Sequence, residues 1–271
     1  MQLLGKAGKA QKRGHGGLGE AEKDTFRIAT YNIHKCRGLD GRVRPQRIVE
    51  ILREIDADLI ALQEVWNKNL GPQEANQPLF IAEELKFHYA FGENRQLKGG
   101  GYGNAILSRF PFKKQENLDL SQSRKEERGC LRTDIALTPS QVLHVFNIHL
   151  GTAYLERRRQ VNRLLESEIL TGSEISGPRI LLGDFNEWLP GLTLRLLREH
   201  FGSVDFRAKL DRRRTYPGAF PLLHLDHIYF DDSLELKQAM AYRTRKALLA
   251  SDHIPLVADF HLKFFRRTAK G

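Results

Sequence analysis

The chain has 271 residues, 41% hydrophobic and 28% charged, with 43 Lys and Arg against 33 Asp and Glu. That length builds one large domain or two small ones, and the composition argues against a disordered or membrane-embedded chain, since no apolar run approaches the ~18 residues of a span. The net charge of +10 favours an anionic partner, nucleic acid or a phospholipid surface, although a solvated basic face reads the same; two cysteines without a CxxC argue against a disulfide scaffold or a cysteine zinc site.

Residues 1–24 are rich in Gly, Lys and Ala, with no aromatic residue and no periodic apolar face, and read as a disordered basic tail. No apolar stretch follows its basic residues, so a cytoplasmic rather than secreted chain is expected. The folded body is expected over 25–271. It opens with a strand at 26–32. Pro45 begins a helix with Ile48, Ile51, Leu52 and Ile55 on one face. The run 57–65 is a short strand buried on both sides. Residues 79–86 suit a short helix, and Gly99–Gly101 a turn before a strand at 102–108. Residues 131–137 and 142–150 pair as a hairpin around Thr138–Gln141. The helix at 154–170 places Val161, Leu164, Leu165 and Ile169 inward, with Arg157, Arg158, Arg159 and Arg163 over the rest. Strands follow at 179–183, 225–230 and 254–262. No repeat or composition break divides the body, so one mixed α/β domain is the economical reading.

Several of these strands end in polar residues: Asn32, Gln63-Glu64, His149, Asp184 with Asn186, Asp226, and Asp252-His253. A carboxylate directly after a buried apolar strand is costly to desolvate without a partner. A cluster of such groups at one sheet edge suits a hard cation, which takes oxygen ligands. The blocks TYNIHK (30–35), LIALQEV (59–65), GYGNAILSRFP (101–111), FNIHLG (146–151), LLGDFNE (181–187), LDHIYF (225–230) and SDHIPL (251–256) stand in a familiar order. With them the body resembles the endonuclease/exonuclease/phosphatase superfamily, the DNase I-like metal-dependent phosphoesterases, and in particular its small bacterial members.

The resemblance implies a four-layer α/β sandwich, two mixed and mainly antiparallel sheets flanked by helices. It implies Glu64 as the principal metal ligand, supported by Asn32 and Asp252. Asp184 and Asn186 would hold the scissile phosphate and the attacking water. His253 would contact the phosphate and move a proton, with Asp226 fixing its tautomer. His149 would stabilise the pentavalent transition state. Tyr102 falls where some members contact phosphate. Asn104 falls where DNase I-like enzymes have a glutamate partner for the second histidine. Arg128 either reaches toward the substrate or forms a surface ion pair. The oxygen-rich set suits Mg²⁺ or Mn²⁺ rather than zinc.

Taken singly, these residues have plainer readings. Glu64 could pair with a surface arginine, His149 could be a core histidine, and Asp184-Phe185-Asn186 could be a turn. Their joint occurrence favours catalysis. The expected activity is phosphodiester hydrolysis by a monomer, with nucleic acid as first choice of substrate. A lipid or small-molecule phosphoester is the alternative, and a non-catalytic nucleic-acid-binding module a third reading. Basic clusters at Arg157–Arg159, Arg212–Arg214 and over 241–271 could track a nucleic-acid backbone or an anionic lipid surface. Tyr216, Phe220, Leu222 and Leu223, in the loop leading to Asp226, could stack bases, touch lipid or pack the loop, and packing is the expected role.

Overall fold

In the computed structural model the described residues are 25–68, 75–138, 141–166, 170, 172, 175–188, 191–204, 214–217 and 222–263. The expected tail, Ile169, Phe220, the Arg212-Arg213 pair and the last eight residues lie outside them.

Alternation along the strands decides the layering. In β1 (Thr25–Asn32), Phe26 and Ile28 face one way and Ala29 and Tyr31 the other, and both sides are buried. A short 3₁₀ turn (His34–Cys36) and α1 (Pro45–Ile55) follow. The α1 apolar face is the expected one, Ile48, Ile51, Leu52 and Ile55, widened by Val49. The helix carries the chain over to β2 (Leu59–Lys68), which pairs in parallel with β1. Next come α2 (Gln77–Leu85), the hairpin β3 (His88–Leu97) and β4 (Gly100–Ser108), and then β5 (Phe112–Asp119). Strands β6 (Gly129–Ala136) and β7 (Val142–His149) form the one hairpin predicted from the sequence. Helix α3 (Tyr154–Glu166) crosses to β8 (Arg179–Asp184), which again pairs in parallel with β7. The chain ends through α4 (Leu192–Arg198), β9 (Gly202–Ser203), β10 (Asp226–Phe230), β11 (Leu234–Ala241), α5 (Arg245–Ala250) and β12 (Leu256–Leu262).

Two six-stranded sheets result. Their orders are β11-β12-β1-β2-β4-β3 and β5-β6-β7-β8-β10-β9. Each has one parallel pair, β1/β2 or β7/β8, in an otherwise antiparallel arrangement. Phe26, Ile28, Leu59, Val145, Ile180, Ile228 and Phe260 pack between the sheets. Ile48, Leu52, Ile60, Leu62 and Ala247 fill the layer under α1, α2 and α5, and Phe146, Val161, Leu164 and Leu181 the layer under α3. Each of these side chains larger than alanine contributes roughly 1.5–3 kcal/mol through burial. The four-layer sandwich expected from sequence is therefore the observed fold.

One helix face differs from expectation. In α3 the buried residues include Glu156, Arg157 and Gln160 besides Val161 and Leu164. The Arg157 guanidinium donates to the carbonyls of Gly151 and Thr152. It closes the turn after β7, whereas Arg158 and Arg159 remain exposed.

Candidate active site

Both sheets turn their inward faces from apolar to polar at the same end. The inward residues run Phe26, Ile28, Thr30, Asn32 on β1 and Leu59, Ala61, Gln63 on β2. They run Val145, Asn147, His149 on β7, Ile180, Leu182, Asp184 on β8, and Phe230, Ile228, Asp226 on β10. The two-residue period of a strand puts each set on one face. His149 lies beside Asp184, and Asp184 beside Asp226, in register.

The first polar layer is a set of amides. Gln63 Nε2 donates to Asn147 Oδ1 (2.7 Å) and Thr30 Oγ1 (3.0 Å). Asn147 Nδ2 donates to the carbonyls of Leu62 and Ala105, 2.9 Å each. Those carbonyls flank a β-bulge: the β2–β4 register shifts between Leu62, opposite Ala105, and Val65, opposite Gly103. Without the extra residue, Glu64 would share the face of Ile60 and Leu62 against the helices. With it, Val65 takes that face and Glu64 turns into the cavity. Glu64 adopts φ +56°, a left-handed conformation that costs energy for a residue with a Cβ. Asn147 braces the bulge from the opposite sheet. Sequence reasoning missed its role and that of Gln63, because alternation alone does not reveal a bulge.

Above the amides lies the charged layer. Asp184 Oδ2 is its hub: Asn32 Nδ2 donates to it at 3.0 Å, and the Nε2 atoms of His149 and His253 each lie 3.5 Å away. Gly183 places Asp184 there. Its φ is +140°, and a Cβ would collide with the Ile148 carbonyl of the neighbouring strand. Asn186, at φ +50°, folds the chain back so that its N–H reaches Asp184 Oδ1 (2.9 Å), while its amide donates to the Leu150 carbonyl. Glu64 Oε1 accepts from Asn32 (3.3 Å) and Oε2 from Lys35 Nζ (2.9 Å), and the same Lys35 ammonium lies 5.4 Å from the centre of the Tyr102 ring. Burial works against the Glu64 charge. His149, Lys35 and Asn32 outweigh it and bring the carboxyl to about 2.

The two histidines have different partners. His253 Nδ1 meets Asp226 Oδ2 at 2.8 Å. Burial opposes its charge, but Asp226, Asp184 and Asp252 lift its pKa to about 10. The ring of Tyr216 packs over His253 at 5.0 Å, as expected of that loop, whereas Leu222, expected to pack with it, is 50% exposed. Among the described residues, His149 has no carboxylate at Nδ1. Its Nδ1 lies 2.9 Å from Arg128 Nη1, and Arg128 is buried and anchored by Glu126 at 3.0 Å. A guanidinium only donates, so Nδ1 accepts and the neutral ring carries its proton on Nε2, toward Asp184. Burial and the Arg128 charge together lower the His149 pKa to about 4.

The structure thus brings Asn32, Glu64, Tyr102, Arg128, His149, Asp184, Asn186, Asp226 and His253 into one connected network. Asp252 is tied in at the rim: Ser251 Oγ donates to the Asn32 carbonyl (2.8 Å) and lies 3.3 Å from Asp252 Oδ1, and His34 Nδ1 is 3.5 Å from Asp252. Asn104 sits underneath, its amide donating to the carbonyls of Gly129 and Asn147. Arg128, rather than Asn104, is the side chain that meets His149 Nδ1.

These environments divide the two imidazoles before any substrate arrives. In metal-free protein His149 stays neutral as pH falls from about 6.5 to about 4, while the unfolded chain takes up that proton, so its contribution to stability declines over that window. His253 has the opposite sign: its contribution is complete below about 6.5 and is lost as pH rises toward about 10. Nitrogen-15 spectra of the histidine rings in EDTA should show one neutral and one charged ring at neutral pH. Two rings titrating together near the free-histidine value would contradict this division.

Glu64, Asp184, Asp226 and Asp252 supply four carboxylates, against three cations, Lys35, Arg128 and the His253 imidazolium. Asp226 Oδ1 is buried without a hydrogen-bond partner. Ligand atoms of Asp184, Asp226 and His253 lie within 4.8 Å of one another. A buried oxygen-rich site short of positive charge fits a hard divalent cation.

Residues 29–253 match the Endonuclease/Exonuclease/phosphatase family. The chain is 32% identical over 261 residues to the uncharacterized protein YbhP of Escherichia coli K12, covering 90% of this chain and 99% of that one. Among solved structures, it is similar to an endonuclease/exonuclease/phosphatase family protein from Bacteroides thetaiotaomicron. That match has a TM-score of 0.72 at 18% identity and covers 89% of this chain and 99% of the other. It is also similar to a mannosyl-6-phosphatase of the same organism, at a TM-score of 0.70, 20% identity and coverage of 87% and 99%. With the ordered strand-end residues and the two-sheet sandwich that gathers them, this match makes the chain a member of the endonuclease/exonuclease/phosphatase family.

Proposed function

We propose that the protein hydrolyses a phosphodiester bond with the help of Mg²⁺ or Mn²⁺. The observation that carries this reading is the convergence of two imidazole Nε2 atoms and the Asn32 amide on one anionic oxygen of Asp184. The same donors suit the non-bridging oxygens of a phosphate ester beside Asp184. His253, charged and held by Asp226, presents one N–H, and neutral His149, held by Arg128, presents a second. Asp184, fixed by the Asn186 N–H, orients the attacking water. Glu64, with Asn32 and Asp252, would hold the cation, which neutralises phosphoryl charge and stabilises the leaving oxygen.

Nucleic acid, the first choice from the sequence, and phospholipid, the second, both contain such a bond. The test uses bis-p-nitrophenyl phosphate, plasmid DNA, single-stranded RNA and sphingomyelin vesicles, each with Mg²⁺, Mn²⁺ or EDTA. Turnover of the small diester that stops in EDTA and returns with Mn²⁺ is expected. Turnover undiminished by EDTA contradicts the metal-dependent reading. No turnover of any substrate leaves the binding module as the alternative.

A further inference from the structure

Exposed apolar side chains are unevenly distributed over the described surface. Eight large ones are exposed, and seven lie on segments leaving the catalytic ends of the strands. Leu39 and Val43 follow β1, Tyr154 and Leu155 follow β7, and Trp188 follows β8. Leu222 precedes β10 and Leu249 precedes β12. Each is between 46% and 60% exposed. Tyr89, at the opposite end, is the exception. Single exposed leucines need no explanation, but seven gathered on segments at one end of the two sheets do.

The loop after β1 is built to present its pair. Arg37 bridges Val43, Gly38 N–H bonds the Arg42 carbonyl, and Asp40 is held by Arg47 at 2.8 Å. Leu39 N–H bonds the Leu249 carbonyl, which ties the loop to α5. An open groove of about 520 Å³ runs between them, lined in part by Val43, Arg44 and Leu249. Arg37, Arg42 and Arg44 stand exposed around the apolar tip and make no ion pair among the described residues. Arg158 and Arg159 flank Tyr154 and Leu155 in the same way, and Arg245 lies near Leu249.

We propose that the catalytic end of the molecule docks on an anionic phospholipid bilayer, with these apolar tips entering the headgroup layer and the arginines meeting lipid phosphates. Loops from both sheets contribute, as a flat surface requires. Five of the seven apolar side chains are aliphatic, with no π-face for stacking on bases. Apolar anchoring combined with basic charge is how a protein holds a membrane surface without spanning it. The inference deepens the phosphodiesterase reading, since it would bring the cavity to a membrane-borne phosphodiester, but docking itself is measurable without turnover.

Flotation in EDTA tests it, using vesicles of phosphatidylcholine with or without roughly 30% phosphatidylglycerol at about 0.15 M salt. The wild-type chain should float with the anionic vesicles. Each arginine near the surface contributes about fivefold, so R37Q/R42Q/R44Q should bind about 100-fold more weakly. Leu39→Ser with Val43→Ser should weaken binding at least about tenfold. Both variants should turn over bis-p-nitrophenyl phosphate like the wild type, which separates docking from catalysis. Wild-type protein that stays unbound, or apolar variants that float equally well, would overturn the proposal. So would capture by a DNA oligonucleotide with no flotation, which would reassign this face to nucleic acid.

Discussion

Glu64→Ala is expected to lower metal-dependent kcat/KM by at least about 10³-fold while the fold persists, because Lewis-acid stabilisation of the transition state is worth several kcal/mol. The structure supplies the second half of this prediction. Glu64 is held at φ +56° on a bulge, among three other carboxylates, and reaches a low pKa only through Lys35, Asn32 and His149. Such a residue is placed for function at some cost to stability. In EDTA the variant should therefore melt close to the wild type or above it. Adding Mn²⁺ should raise the wild-type Tm, because a ligand that binds only the folded state stabilises it, and should leave the variant unmoved. The isosteric Glu64→Gln separates charge from shape: it keeps the packing at the bulge and should lose the Mn²⁺ response all the same. An equal Mn²⁺ shift in all three proteins would remove Glu64 from the cation site and point instead to the deeper Asp184–Asp226–His253 cluster.

The distribution of what was legible follows the same physics. The eight strands read from the sequence are the eight internal strands of the two sheets. The four missed, β3, β11, β5 and β9, are the four edges. An internal strand buried on both faces is a continuous apolar run, as in LIALQEV. An edge strand faces solvent and is blunted with charge, as in FKKQENLD, so its period-two signal fades. Helix α5 is only six residues long and gives no sustained period. Within the site, residues on strand ends were visible because each interrupts an apolar run. Of the partners that set their chemistry, the sequence reading names Arg128 without its contact to His149 and gives Asn147 and Lys35 no role. Arg128 reaches His149 across the β6–β7 pair, Asn147 braces a bulge in the other sheet, and Lys35 meets Glu64 from a 3₁₀ turn. Each depends on register or local backbone that no spacing in the chain records.

The Arg128–His149 pair also explains why the two histidines are not interchangeable. A carboxylate beside each ring would favour two imidazolium ions crowding one phosphate. Here only His253 has that support, and Arg128 keeps the other ring neutral with its N–H fixed toward the cavity. Environments that push two titrating groups apart are the usual way a site divides acid and base work.

Removing the charged member tests that division most severely. His253→Ala should reduce kcat by about 10²–10⁴-fold, the range for a positioned acid or base. Asp226→Asn makes a finer measurement, since Asp226 is expected to act through His253. The carboxylate is fully buried, and its loss removes the leading support for the imidazolium. The pKa of His253 should then fall from about 10 toward the ordinary histidine value. Because a raised histidine pKa means the proton is held, lowering it empties the ring of charge at alkaline pH first. The Asn variant should therefore lose activity more steeply than the wild type as pH rises from 7 to about 9, and differ least in mild acid. A structural role alone would depress activity evenly across pH. An unchanged pH profile with a uniformly lower kcat would assign Asp226 to holding β10 in place, and the proton held at His253 would have to be credited to Asp184 and Asp252 instead.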